Sequence, residues 1–226
     1  MLEGKSLRAC ADEVGICLKT SFEWRHKILA AIRALEGGIS FSGIVEADEL
    51  LMNYSEKGRK FKSKEEYRRA KKKKHPKVAV LVVTDREGNL LFKQVGEKKV
   101  KNEQLREELK NRLSENNLIC VKPKKEFKKA VKSLQSKKVI VNKRQIKRGI
   151  YSVKIVESKI SDFKTWLSRF HGVATKYLQS YLMWFVIVNK YLKELIDPDI
   201  GRLLNLSSHD RWAWDKYREI LSQRYE

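Results

Sequence analysis

The chain has 226 residues, enough to bury a full-sized core, and a formal net charge of +22. Its longest apolar stretches, 78–83 and 182–188, are too short to span a bilayer, and no charged-then-apolar signal segment opens it. These features exclude a membrane-spanning or secreted protein and predict a cytoplasmic one.

In chain order, Ser6 through Val14 predicts a short helix with Leu7, Cys10, Ala11 and Val14 inward. Gly15-Ile16 turns the chain, and a second helix runs from about Lys19 to Leu35 with Leu18, Phe22, Leu29 and Ile32 on one face. Two helices joined by a tight glycine turn form a helix-turn-helix pattern, with an ordinary helical hairpin as the alternative. In a helix-turn-helix the start of the second helix meets the major groove, which nominates Lys19, Thr20, Glu23 and Lys27 as DNA contacts. Gly37-Gly38 closes this module, residues 1–38.

Ile44–Leu50 predicts the first strand of a second module. Residues 57–77 follow with twelve Lys/Arg against two Glu, among them Arg68, Arg69, Lys71 and Lys72. Val78–Thr84 and Leu90–Val95 predict the next two strands, with a hairpin turn at 85–89. Asn102–Ser114 reads as a helix, Leu118–Val121 as strand four, Lys124–Leu134 as a helix and Val139–Val141 as strand five. Residues 122–148 form a second basic segment of twelve Lys/Arg against one Glu, including Lys124, Lys125, Arg144, Lys147 and Arg148. The two segments carry +10 and +11, so the remainder is almost neutral. Charge concentrated in this way suits a polyanion such as nucleic acid, and neither segment has the apolar face of an interfacial membrane helix.

A long helix from about Val153 to Phe170 places Val156, Ile160, Phe163, Leu167 and Phe170 at intervals of three and four. Another runs from Ala174 to Ile196, where Asp197-Pro198-Asp199 ends it, and a last amphipathic helix covers 208–222 with Trp212, Trp214, Tyr217 and Ile220. Aromatic residues at helical spacing make these packing helices. Meandering strands followed by helix-linked ones predict a mixed α/β sheet flanked by helices over 39–196, with a helical extension over 197–226. Cys10, Cys17 and Cys120 lack paired ligand spacing and are expected to be reduced and mostly buried.

Asp48 lies on the apolar first strand, and alternation puts Glu46 on the same face, with Glu49 beside them. A buried acid must be paired or bound to a cation, so a structural ion pair and a metal ligand both fit. Glu157 stands one position off the buried stripe of its helix.

The runs Ser6-Leu7-Arg8-Ala9-Cys10-Ala11, Thr20-Ser21-Phe22-Glu23-Trp24-Arg25-His26-Lys27, Gly43-Ile44-Val45-Glu46-Ala47-Asp48-Glu49 and Arg169-Phe170-His171-Gly172-Val173-Ala174 carry a closer likeness. Over residues 5–190 the chain closely resembles the ISXO-type transposases of bacterial insertion sequences. The resemblance implies an RNase H-like catalytic domain of the DDE kind, acting on element ends and target DNA with Mg²⁺ or Mn²⁺, as a multimer, in the bacterial nucleoid. It makes Asp48 and Glu157 the first and third catalytic, metal-binding carboxylates. The second aspartate belongs at the end of strand four, where this chain reads Cys120-Val121-Lys122-Pro123, so Lys122 replaces an expected ligand. The resemblance also implies a zinc ribbon ahead of the helix-turn-helix, yet no CxxC pair occurs, which a late start or a lost segment would explain. Asp85 or Glu126 could deputise for the missing acid, although Asp85 more plausibly shapes its turn. The expectation is a transposase impaired in cleavage; a catalytically inactive DNA-binding derivative is the alternative, and a basic RNA-binding protein a remoter one.

Overall fold

The computed structural model describes residues 4–134, 137–140, 147–148, 150–191 and 211–222. Two helices come first, α1 (Leu7–Val14) and α2 (Leu18–Ile32), followed by a 3₁₀ turn over Arg33–Gly38. Ser6 caps α1 by accepting a hydrogen bond from the Ala9 N–H, and Gly15 ends it at φ 71°, a left-handed conformation that glycine adopts without strain.

The strands are β1 (Ile44–Met52), β2 (Val78–Asp85), β3 (Leu90–Glu97), β4 (Leu118–Val121) and β5 (Lys137–Ile140). Their order is β3-β2-β1-β4-β5, with β1 antiparallel to β2, β2 antiparallel to β3, and β1–β4 and β4–β5 parallel. This is the mixed α/β sheet that the strand pattern predicted, and it is consistent with the RNase H-like fold that the resemblance implied. The chain also forms α3 (Lys64–Lys72), α4 (Asn102–Lys110), α5 (Lys125–Lys132), a small hairpin of β6 (Lys147–Arg148) and β7 (Tyr151–Ser152), α6 (Lys154–Ser168), α7 (Leu178–Tyr191) and α8 (Arg211–Ser222).

Strand alternation divides the apolar residues between two cores. Val45, Ala47, Leu81, Val83, Ile119 and Val121 face Leu105 and Leu109 of α4 and Phe127, Ala130 and Val131 of α5. Leu50, Val80, Val82, Phe92 and Cys120 face the opposite way, against Val156 and Phe163 of α6, Leu182 and Phe185 of α7, and Leu29 and Ile32 of α2. Glu46, Asp48 and Lys122 share the parity of this second face.

Some sequence expectations need correction. Val14 and Leu18, expected inward, are 62% and 46% exposed. The inward stripe of α2 runs through Ser21, Arg25, Leu29 and Ile32 instead, and its polar members are satisfied by backbone: Ser21 Oγ donates to the Leu7 carbonyl and Arg25 to that of Lys5. Of the three cysteines only Cys120 is buried, since Cys17 is exposed and Cys10 lies between. The fourth helix stops at Lys110 and not at Ser114: Asn111 leaves the helical conformation at φ −95° and ψ 0°, and Ser114 beyond it donates its N–H to the Asn117 side chain. The basic run 57–77, assigned no element, contains α3, capped by Ser63 and without a buried residue. The end of the seventh helix beyond Tyr191, residue 141 of the fifth strand, and Arg144 fall outside the described residues, as does the start of the last helix.

Candidate active site

Glu46 and Asp48 project from the middle of the sheet and are 0% and 5% exposed. Buried charge of this kind requires partners, and the two carboxylates find different ones. Glu46 Oε1 accepts from Ser152 Oγ at 2.9 Å, while its Oε2 accepts from the Ile155 and Val156 N–H groups at 2.9 and 3.1 Å. Those two amides belong to the first turn of α6, whose own N-cap residue, Val153, supplies no side-chain bond. A carboxylate on β1 thus caps α6 from 109 residues away, meeting both the orphan donors and the positive end of the helix dipole. This aims the first turn of α6, and with it Glu157, at the end of β1. Burial, and then the negative charge of Glu46, pushes the nearby Cys120 thiol up to about 11, so it stays protonated.

Asp48 is held otherwise. The parallel β1–β4 register sets Ala47 opposite Val121, so the following residues, Asp48 and Lys122, come together just beyond the last pair. Lys122 Nζ lies 2.5 Å from Asp48 Oδ2 and 2.6 Å from Glu157 Oε1, bridging the two carboxylates. Lys124 Nζ adds contacts of 3.1 Å to Asp48 Oδ1 and 3.3 Å to Glu49 Oε2. The Glu49 N–H also donates to Asp48 Oδ1 at 2.8 Å, and Glu49 Oε1 accepts from the Val100 N–H. Burial on its own raises the Asp48 carboxyl, yet the Lys122 hydrogen bond, the Lys124 charge and the Glu49 amide outweigh it and hold the group below the ordinary carboxylate range. For Lys122 burial works against the charge, and its bonds to Asp48 and Glu157 prevail, so the ammonium titrates above its usual value.

The acids that could replace the missing ligand are engaged elsewhere. Asp85 accepts from the Glu87 and Asn89 N–H groups, the Asn89 side chain and the Ser42 N–H, closing the β2–β3 turn. Glu126 pairs with Lys99 at 2.9 Å. Among the described residues no group of three or more His, Cys, Asp or Glu side chains could hold a metal ion. The arrangement does not fit a divalent cation between Asp48 and Glu157, because an ammonium already touches both.

The predicted DNA contacts are distributed over several surfaces. Lys19 is exposed, 3.9 Å from Glu23; Thr20 shares a hydrogen bond with Cys17 Sγ at 3.2 Å; and Lys27 is half-buried. Arg68, Arg69, Lys71 and Lys72 lie exposed on α3, with Arg69 paired to Glu65 at 2.9 Å. Lys125 is exposed at the start of α5, whereas Lys124 is turned into the acidic cluster. Lys147 and Arg148 form β6, and Arg144 lies outside the described residues. Sequence reasoning missed the capping role of Glu46 and the inward turn of Lys124; the strand parity of Glu46 with Asp48 was the one available signal for the former.

A family described as the ISXO2-like transposase domain matches residues 40–186, which span β1 to most of α7 and include Asp48, Lys122 and Glu157. No curated protein matches the chain, and no solved structure does.

Proposed function

The chain belongs to the ISXO2-like transposase family, and from that premise we propose a bacterial insertion-sequence transposase that binds duplex DNA while its strand cleavage and transfer are impaired. The carrying observation is the Lys122 ammonium seated 2.5 and 2.6 Å from Asp48 and Glu157. Phosphoryl transfer on DNA with divalent ions needs carboxylate oxygens gathered around the cations. Here the position between two such carboxylates carries a tethered positive charge. Like charges about 4 Å apart repel by about 4 kcal/mol at an effective dielectric near 20, enough to remove most occupancy by a weakly held ion.

DNA binding is supported separately, by the two basic segments, by the exposed cations of α3 and by the paired helices α1 and α2. On this reading Asp48, Lys122, Lys124 and Glu157 form a neutralised core, and the protein's work at DNA lies in its basic surfaces.

The decisive experiment is a nicking and strand-joining assay on element-end DNA in Mg²⁺ or Mn²⁺. The expected result is feeble or no cleavage by the natural chain, and partial recovery on Lys122→Asp that disappears again on adding Asp48→Ala. Robust cleavage by the natural chain, lost on Asp48→Ala alone, would overturn the impairment. Cleavage that survives Asp48→Ala would overturn the site.

A further inference from the structure

The motif Arg169-Phe170-His171-Gly172 plays no part in the acidic cluster. It follows the far end of α6, separated from Glu157 by about 18 Å of helix at 1.5 Å per residue. There it borders a cavity of about 330 Å³ whose other walls come from the start of α1, from α2, from Lys57-Gly58, from the 173–177 segment and from Tyr181 of α7. Among the described residues, four Lys or Arg side chains and two histidines line this cavity, and no Asp or Glu does.

The floor is aromatic. Phe22 and Phe170 are half-exposed, while Tyr177 and Tyr181 beneath them are 8% and 5% exposed. His26 is sandwiched with centroids 4.3 Å from Phe22 and 4.0 Å from Tyr177. Burial, followed by the charges of Arg25 and Lys176, lowers its pKa to about 3, so it is a neutral ring at physiological pH. Burial also raises the Tyr181 phenol, which stays protonated.

The cationic groups divide into fixed and rim positions. Arg25 is anchored through the Lys5 carbonyl at 2.6 Å and lies 5.3 Å from the Trp184 ring centroid. Lys57 Nζ donates to three successive carbonyls, Phe170, His171 and Gly172, at 3.1, 2.9 and 2.8 Å. That staple holds His171 and Gly172 at φ 50° and 92° and sets the loop against the cavity mouth. Arg169 stands exposed at this mouth, and Lys176 is half-buried 5.2 Å from the Tyr177 ring centroid. Burial lowers the Lys176 ammonium.

Aromatic side chains beside a cationic rim, in a volume at the lower end of small-ligand sites, match the two halves of a nucleotide. The geometry points to a binding site for one unpaired nucleotide of a DNA strand, its base against Phe22 and Phe170 and its phosphate against Arg169 and Lys176. The inference rests on the DNA-binding reading above and adds a local specificity to it. Bound DNA would place an extrahelical or strand-end nucleotide in a pocket remote from Asp48.

Two arms test it on the full-length protein. In the first, affinity is compared for a fully paired duplex and the same duplex carrying one central unpaired adenosine nucleotide. The natural chain should prefer the second about tenfold, a typical worth for one stacked base. The double variant Arg169→Gln, Lys176→Gln should lose that preference and keep its affinity for paired duplex within about threefold. In the second arm, dAMP and inorganic phosphate are titrated separately at low salt by isotope-edited NMR. Perturbation of amides around Phe22 and Phe170 by dAMP, at least about fivefold tighter than by phosphate, is the supporting result. Phe22→Leu, which keeps an apolar side chain, should erase the dAMP advantage with the phosphate response unchanged. Equal response to dAMP and phosphate, no response to either, or a tenfold duplex preference unaltered in the double variant each overturns the nucleotide site. If neither duplex binds, the DNA-binding reading fails, and the dAMP arm decides the pocket by itself.

Discussion

Lys122 places a positive charge where two carboxylates converge, and the consequence can be read from the titration of Asp48. Its folded pKa lies below the ordinary 3.8, so its contribution to stability is complete above 3.8 and is lost as pH falls through the folded value. The raised Lys122 ammonium mirrors this, contributing fully below 10.5 and losing its effect as pH climbs past its folded pKa. Lys122→Met removes the bridge and leaves Asp48 with Lys124 as its cation while Glu157 becomes an uncompensated neighbour. Burial then prevails, and the Asp48 pKa rises above 3.8. Breaking a fully buried pair costs about 3–5 kcal/mol. Lys122 is 27% exposed and Lys124 remains, which reduces the expected loss to about 1–2 kcal/mol at neutral pH. Urea unfolding of both proteins between pH 7 and pH 2.5 checks this. The gap between them should narrow on acidification, because the natural chain loses the Asp48 contribution that the variant never had. A gap that stays constant with pH would show that the bridge is not what lowers Asp48.

Among the elements, α6 depends on a cap it does not carry itself. Glu46→Gln keeps an acceptor for one or two of the three donors but removes the negative charge from the helix's positive end. A charge-assisted buried bond contributes about 1.5–3 kcal/mol, so a loss near 2 kcal/mol is expected, with faster amide exchange at Ile155 and Val156. Unchanged protection at those two amides would refute the capping role. The sequence disclosed elements unevenly for related reasons. The apolar strands β1 to β4 were legible to within one or two residues, because a five-stranded sheet buried on both faces leaves unbroken runs such as Val78–Val83. Helix α3 buries nothing, so no apolar period marks it; its signals were Ser63, two first-turn acids and a basic last turn. The anomaly of Lys122 was visible because a strand end is a local feature. The Glu46–Ile155 and Lys124–Asp48 bonds span 109 and 76 residues, and nothing local encodes them. In α2 the buried stripe is turned toward Ser21 and Arg25, whose polar groups bond backbone of the preceding segment, so hydrophobicity alone chose Leu18 wrongly.

Across the whole molecule, charge is segregated. The two basic segments carry +21 of the net +22, and two cations of the second, Lys122 and Lys124, are turned inward onto the acidic cluster at the end of β1. Lys and Arg concentrated in two segments give the protein a strongly positive field, as a polyanion partner requires. Binding through such a field releases counterions, and its logarithmic salt slope counts the phosphates neutralised, at about 0.9 per contact on duplex DNA. Six or more contacts would lower duplex affinity by about a thousandfold or more between 50 and 200 mM salt. The exposed cations of α3 supply a way to apportion that slope. Changing Arg68, Lys71 and Lys72 to Gln removes three charges from a helix with no buried residue, so the fold should be unaffected. If all three reach phosphates, the slope should fall by about 2.7 with no change in the protein's preference among duplex sequences. Fluorescence anisotropy over a salt series measures both quantities. A natural-chain affinity that stays flat with salt would remove the basis for assigning DNA to the basic segments. A slope unchanged in the triple variant would move the contact surface from α3 to the cations of residues 122–148.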